Sequence, residues 1–176
     1  MKNKALIIID LQNGLNTVGT GLFQLEPLLL EVNQRIAYYR EQHLPVIFIQ
    51  HEDEDLVAES HDWQLFAELD ARRKDFYIRK THANSFFNTT LKELLTQLAI
   101  TDLEFCGAQT EYCVDTTIRM AHGLGYNCSM KRGLSTTLDN DLLDAQRIIQ
   151  HHENIWNKRF LTFIEPHEAD SLSSSF

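Results

Sequence analysis

Cys113, Asp10 and Lys80 have the side chains that nucleophilic chemistry on a carbonyl needs, and each falls where a strand meets the segment that follows it. A thiol attacks as its thiolate, so it needs a proton acceptor or a local field that favours negative charge. Cys113 follows Gly107-Ala108-Gln109-Thr110-Glu111-Tyr112. With Thr110 as N-cap, it is the third residue of a helix, where free backbone N–H groups and the helix dipole favour a thiolate. The same N–H groups can hold the oxyanion of acyl transfer. Asp10 is the candidate proton acceptor and Lys80 the cation that balances it, since buried charges are tolerated when paired. Taken singly, each has a plainer reading: Cys113 as core filler, Asp10 as a turn cap, Lys80 as a solvated lysine. Their agreement in position favours the chemical one.

That agreement depends on the elements that carry them. Residues 5–10 (Ala-Leu-Ile-Ile-Ile-Asp) are almost entirely apolar, as in a strand covered on both faces. An amphipathic pattern over 25–42, with Leu28, Leu29, Val32, Ile36 and Tyr39 on one side, predicts a helix. Strands are predicted at 46–49, 76–79, 103–107, 126–130 and 160–164. Further helices are predicted at 85–98 with Ser85 as cap, at 110–124 ending on Gly123 and Gly125, and at 139–156. Residues 52–73 read as loop with a short helix over 63–69, and the Ser-rich end, 171–176, reads as frayed. Alternating strands and helices imply right-handed crossovers. The expected fold is a three-layer α/β/α domain around a mostly parallel six-stranded sheet, spanning residues 1–176 as one domain. In such sheets ligands bind beyond the carboxyl ends of the strands. This places Asp10, His51, Lys80 and residues 107–113 on one edge.

Composition narrows the function. With 176 residues, 43% hydrophobic and 23% charged, the chain is ordinary globular material. A net charge of −9 opposes a nucleic-acid partner, and no apolar run reaches the length of a membrane span. The acidic run Glu52-Asp53-Glu54-Asp55 reads as a solvated loop. Three cysteines, Cys106, Cys113 and Cys128, lack metal-ligand spacing and fit a reducing, cytoplasmic setting. Motifs for a serine nucleophile elbow, a dinucleotide or a phosphate-cradling loop are absent. The expected partner is a small-molecule substrate, with no cofactor.

Three segments together resemble the isochorismatase-like cysteine hydrolases: Ala5-Leu-Ile-Ile-Ile-Asp10-Leu-Gln12-Asn13, Lys80-Thr-His-Ala-Asn-Ser85-Phe86-Phe87, and Gly107-Ala-Gln-Thr110-Glu-Tyr-Cys113-Val114-Asp-Thr-Thr117. They occur in the family's order, between about residues 4 and 130. The resemblance implies that Asp10 is the general base, Lys80 stabilises charge and Cys113 is the nucleophile. It also implies a non-proline cis peptide at Ala108–Gln109 that aims N–H groups of the Gln109 region at an oxyanion, with Gln12 and His51 beside the substrate. The implied reaction is hydrolysis of a C–N bond in a small amide or carbamoyl compound. Relatives that cleave isochorismate typically lack the Cys, and dimers or tetramers are common in the family.

Two departures stand out. Metal-binding nicotinamidases of the family carry Asp-x-His after the second strand and a later His, whereas this chain reads Gln50-His51-Glu52-Asp53 with His61 further on. A metal at His51, Asp53 and His61 stays open on ligand type, but the adopted reading is no metal, with His51 lining the pocket. The second departure is Lys131-Arg132-Gly133-Leu134, where many relatives have an acidic residue followed by Ala. A catalytically silent binding protein and a redox-sensing thiol are the competing classes. The intact Asp, Lys and Cys set opposes the first, and the absence of Cys-x-x-Cys opposes the second.

Overall fold

A computed structural model describes residues 3–17, 19 and 21–165. Its centre is β1 (Lys4–Ile9), whose residues Ala5 to Ile9 are completely inaccessible, so both faces of the strand are covered. The chain then forms a 3-10 turn (Asn13–Asn16), α1 (Leu25–Glu41), β2 (Val46–His51), β3 (Phe76–Lys80), α2 (Leu91–Gln97) and β4 (Asp102–Ala108). A π-helical turn (Thr110–Val114) runs directly into α3 (Asp115–Gly123). β5 (Asn127–Lys131), β6 (Ser135–Thr136), α4 (Ala145–Trp156) and β7 (Thr162–Ile164) complete the described chain.

Strand order is β3-β2-β1-β4-β5-β7, with β6 paired to the end of β4, and every ladder is parallel. The sheet therefore has seven strands where six were expected; the addition is two-residue β6, too short to show a periodicity. The chain grows outward from β1 to β3 and returns to place β4 on the other side of β1. That reversal is the point where a doubly wound sheet opens a crevice at its carboxyl edge. Asp10 follows β1 and Gln109 follows β4, so the crevice lies between them.

At this switch point β1 and β4 approach very closely. Gly107, opposite Ile9, has φ +132°, and a Cβ built on it would lie 2.1 Å from the Ile9 carbonyl oxygen. Backbone cannot yield as a flexible side chain can. Gly107→Ala is expected to cost at least about 3 kcal/mol in chemical unfolding. A cost below 1 kcal/mol would contradict the close approach.

Three predicted helices differ from what forms. Over 63–69 the buried side chains Trp63, Phe66 and Leu69 recur every three residues, which mimics a helical face. Their backbone instead crosses to the segment after β1. The Phe66 N–H donates to the Leu11 carbonyl at 3.1 Å, Asn13 N–H to the Gln64 carbonyl at 2.9 Å, and Gly14 N–H to the Asp62 carbonyl at 2.9 Å. The helix predicted at 85–98 is confined to 91–97. Ser85 bonds to α3, its N–H and hydroxyl lying 3.1 and 2.9 Å from Thr117 Oγ1, and Asn88 is left-handed at φ +52°. The last helix begins at Ala145 rather than 139, because Asp144 is the N-cap, accepting from Arg147 N–H at 2.8 Å. Asp139 accepts from Ala145 N–H at the same distance. Residues 171–176 lie outside the described residues.

The strand β4 also carries a charge inside the protein. Glu104 is fully buried and accepts from Arg35 at 2.6 and 2.7 Å and from the Tyr39 hydroxyl at 2.9 Å, both on α1. The bidentate pair fixes α1 against the sheet and satisfies a carboxylate that burial alone would forbid.

Candidate active site

Asp10 leaves β1 in a left-handed conformation, φ +49°, while its N–H donates to the Ile49 carbonyl of β2 at 3.0 Å. Asp tolerates this region better than most residues. The turn carries its carboxylate into the crevice, 2% exposed. Lys80, also 2% exposed, ends β3 two strands away, and its long side chain spans β2 to bring Nζ within 2.5 Å of Asp10 Oδ2. The same Nζ donates to Cys113 Sγ at 3.2 Å. Three residues distant in sequence thus meet at one point of the sheet edge.

Lys80 Nζ also lies 3.2 Å from His51 Nδ1, and His51 Nε2 lies 3.0 Å from Asp53 Oδ2. An ammonium only donates, so Nδ1 is the acceptor and Nε2 carries the proton that it gives to Asp53. Gln12 is fully buried and braces this arrangement. Its Nε2 donates to the His51 and Trp63 carbonyls at 2.9 and 2.8 Å, and its Oε1 accepts from His51 N–H at 2.8 Å. The expectation that Gln12 touches substrate is therefore corrected: its amide is committed to the backbone.

The Ala108–Gln109 peptide is cis, at the position the motif comparison indicates. Ala108 is fully buried and pairs with Thr136, so its side chain is core, while Gln109 lines the cavity. Thr110 is not the N-cap. Gln109 holds that position with extended geometry, φ −86° and ψ 145°, and the Thr110 hydroxyl donates to Ser135 Oγ at 3.0 Å. Cys113 is consequently the fourth residue of the π-helical turn.

Burial pushes the Cys113 thiol up to about 12, Asp10's negative charge adds to the rise, and Lys80 opposes it. Burial likewise raises the Asp10 carboxyl, against the pull of Lys80. The resting pair is a neutral thiol next to a base.

Above this floor lies a cavity of about 590 Å³, lined by Asp10, Cys113, Gln109 and His51 below and by Leu15, Leu56 and Leu138 among its walls. Its size is ordinary for a small metabolite. The acidic run read as a solvated loop contributes Asp53 and Asp55 to the same cavity, and Asp62 adds a third carboxylate. Sequence patterns missed these residues because no periodicity marks an irregular loop folding back over a sheet edge. The metal set left open at His51, Asp53 and His61 is not brought together. His61 is 81% exposed and pairs with Asp62 at 3.3 Å, and among the described residues no group of three or more His, Cys, Asp or Glu is placed to hold an ion. No helix among the described residues is long and apolar enough to cross a membrane.

Access distinguishes the three cysteines. Cys106 is fully buried and Cys128 is 8% exposed at the edge of a separate surface cleft, whereas Cys113 is only half-buried and opens on the cavity. Iodoacetamide followed by peptide mass spectrometry is expected to alkylate Cys113 at least about tenfold faster than the others, slowly at neutral pH because the thiol is protonated. Uniform labelling of the folded protein would contradict this placement.

Comparison with known proteins agrees with the fold. The isochorismatase domain model matches residues 4–146, and the chain belongs to that family. A crystal structure of an isochorismatase family protein superposes with a TM-score of 0.92 at 56% identity, covering 94% of this chain and 99% of that one. The isochorismatase family protein YddQ of Bacillus subtilis is 29% identical over 154 residues, 82% of this chain and 86% of its own length. The ureidoacrylate amidohydrolase RutB of Pseudomonas savastanoi is 25% identical over 161 residues, which is 69% of this chain and 66% of that longer protein. The chain is thus an isochorismatase-family hydrolase.

Proposed function

We propose that the protein is a cysteine hydrolase that cleaves a C–N bond in a small amide or carbamoyl compound through a thioester on Cys113. The observation that carries this reading is the contact chain Asp10–Lys80–Cys113, with distances of 2.5 and 3.2 Å, at the floor of the cavity. The amidohydrolase among the relatives supports the bond class.

The residues act in sequence. Asp10 takes the thiol proton as Sγ bonds to the carbonyl carbon, so no free thiolate has to accumulate. Backbone N–H groups of Gln109 and Cys113 hold the charge that develops on the carbonyl oxygen. The proton passes from Asp10 to the departing nitrogen, the C–N bond breaks, and ammonia or an amine leaves. Asp10 then deprotonates a water that attacks the thioester, releasing the acid and returning the proton to Cys113. Lys80 keeps one cation beside Asp10 and Sγ throughout, which stabilises whichever of them carries the negative charge.

The test is a panel of small amides and carbamoyl compounds assayed for ammonia release, with intact-mass spectrometry on quenched turnover samples. An acyl adduct on Cys113 is expected. Ammonia release that persists without Cys113 overturns the reading. Because Asp10 must be ionised to accept the proton and its carboxyl is raised by burial, kcat/KM is expected to fall on acidification at a pH above the ordinary aspartate range. A profile flat down to that range would contradict Asp10 as the base.

A further inference from the structure

The ammonium of Lys80 has three protons, and three acceptors meet it. Asp10 Oδ2 lies at 2.5 Å, Cys113 Sγ at 3.2 Å and His51 Nδ1 at 3.2 Å. The proposed reaction uses the first two. The third belongs to a chain of contacts that leads away from the reacting atoms. His51 is the register partner of Lys80 across the β2–β3 ladder, so the two side chains leave the sheet on one face. Gln12 pins its backbone, accepting from the His51 N–H at 2.8 Å and donating to the His51 carbonyl at 2.9 Å.

The far nitrogen of the ring, Nε2, faces Asp53 Oδ2 at 3.0 Å. Asp53 is fixed in turn. Its Oδ1 accepts from the N–H groups of Leu56 and Asp55 at 2.8 and 2.9 Å, and those bonds hold its carboxyl below the usual range. An ionised carboxylate at Nε2 calls for an N–H there, which leaves the Nδ1 lone pair for Lys80. Without that acceptor, the strongest partner within reach of the third proton is the Asp10 carboxylate, since a charged acceptor outcompetes a neutral sulfur. The ammonium would then settle on Asp10 and slacken its hold on Sγ.

We infer that His51 and Asp53 form a positioning pair for Lys80: Asp53 fixes the His51 tautomer, and His51 takes the third ammonium proton, so that the cation stays shared between Asp10 and Cys113. This deepens the proposed reaction and rests on it. Lys80 then has no proton to spare for the substrate, and the charge developing on the carbonyl oxygen falls to backbone N–H groups.

Nitrogen NMR of protein carrying isotope-labelled histidine reads the tautomer without any substrate, with His51 assigned by the signal missing from the His51→Asn variant. An Nε2–H ring is expected; an Nδ1–H ring, or a doubly protonated one at neutral pH, overturns the inference. Two near-isosteres then read the effect on the site. His51→Asn offers an amide oxygen near the place of Nδ1, and His51→Leu offers no acceptor. Cys113 is expected to react with iodoacetamide at least about fivefold more slowly in the leucine variant than in the asparagine variant, because Lys80 supports the thiolate less well. For an amide that is turned over, kcat should fall by roughly thirtyfold in the leucine variant with KM little changed, and asparagine should recover most of the loss. Asp53→Asn gives the sharpest arm. Its amide oxygen stays on the two backbone N–H groups, so its NH2 faces Nε2, drives the proton to Nδ1 and turns a donor toward the ammonium. The NMR signal should switch, and both rates should match those of the leucine variant. Asp53 is exposed, so this arm stands even where the leucine variant fails to fold. Equal rates for the asparagine and leucine variants, or an Asp53→Asn protein that keeps the parent's rates, overturn the inference whatever happens to thermal stability. Amides that fail in every protein while the tautomer and the alkylation order hold would count against the hydrolase reading alone. Turnover that needs Cys113 but ignores all three substitutions would count against the positioning pair alone.

Discussion

Cys113→Ala is expected to lower turnover of any substrate found in the amide panel by at least about 10³-fold while leaving the protein folded. The side chain is half-buried at the cavity floor and its sulfur accepts one hydrogen bond, from Lys80 at 3.2 Å. Its removal leaves space that water can enter, so the stability cost is small beside the catalytic loss. Cys113→Ser separates nucleophilicity from shape: the hydroxyl fits the site, but Asp10 is a weak base for an alcohol, and the loss should approach that of alanine. The measurement is ammonia release under saturating substrate, with circular dichroism confirming the fold. Turnover within tenfold of the unaltered protein in the alanine variant would remove Cys113 from the mechanism.

The second large effect concerns stability as well as activity. Asp10 and Lys80 form an ion pair in which both residues are 2% exposed. Removing one partner leaves the other charge buried and uncompensated, which costs about 3–5 kcal/mol. Asp10→Asn and Lys80→Met are each expected to lose that much in urea unfolding, with the slope unchanged. Asn is the right replacement at Asp10 because it tolerates φ +49°. The double variant removes both charges and should recover most of the loss without regaining activity, giving a coupling of about 2 kcal/mol or more in the cycle. The Lys80→Met deficit should also depend on pH. Without the lysine, the folded-state Asp10 carboxyl is raised still further above its unfolded value, so the folded state retains a proton that the unfolded state releases. Stability of that variant is then greatest at low pH and falls as pH rises through the window between the two values. Single variants as stable as the parent, or additive losses, would contradict a tightly coupled pair.

Much of the fold is legible because β1, β2 and β4 are buried on both faces and announce themselves as continuous apolar runs. The trio is legible for a related reason: in a parallel sheet, polar residues that end such runs share an edge. What escaped detection depends on long-range partners. Trp63, Phe66 and Leu69 have helical spacing yet pair their backbone with 11–14, and Ser85 looks like a cap until Thr117 claims it. Glu104 lies within the predicted strand 103–107, and its burial is accounted for by Arg35 arriving from α1. The upward push on the Cys113 thiol comes chiefly from burial, and burial of one side chain is not visible in a sequence pattern.

Gln12 joins the His51 and Trp63 backbones, so the residues between them leave and rejoin the scaffold at two pinned points. Asp53, Asp55 and Asp62 all lie between those points, while the reacting atoms belong to the sheet edge beneath. The stretch is not independent of the chemistry below: Asp53 ties it to His51 and so to Lys80, and the Glu52 N–H donates to the Lys80 carbonyl at 2.8 Å, so whatever shifts this stretch reaches the cation beside Asp10.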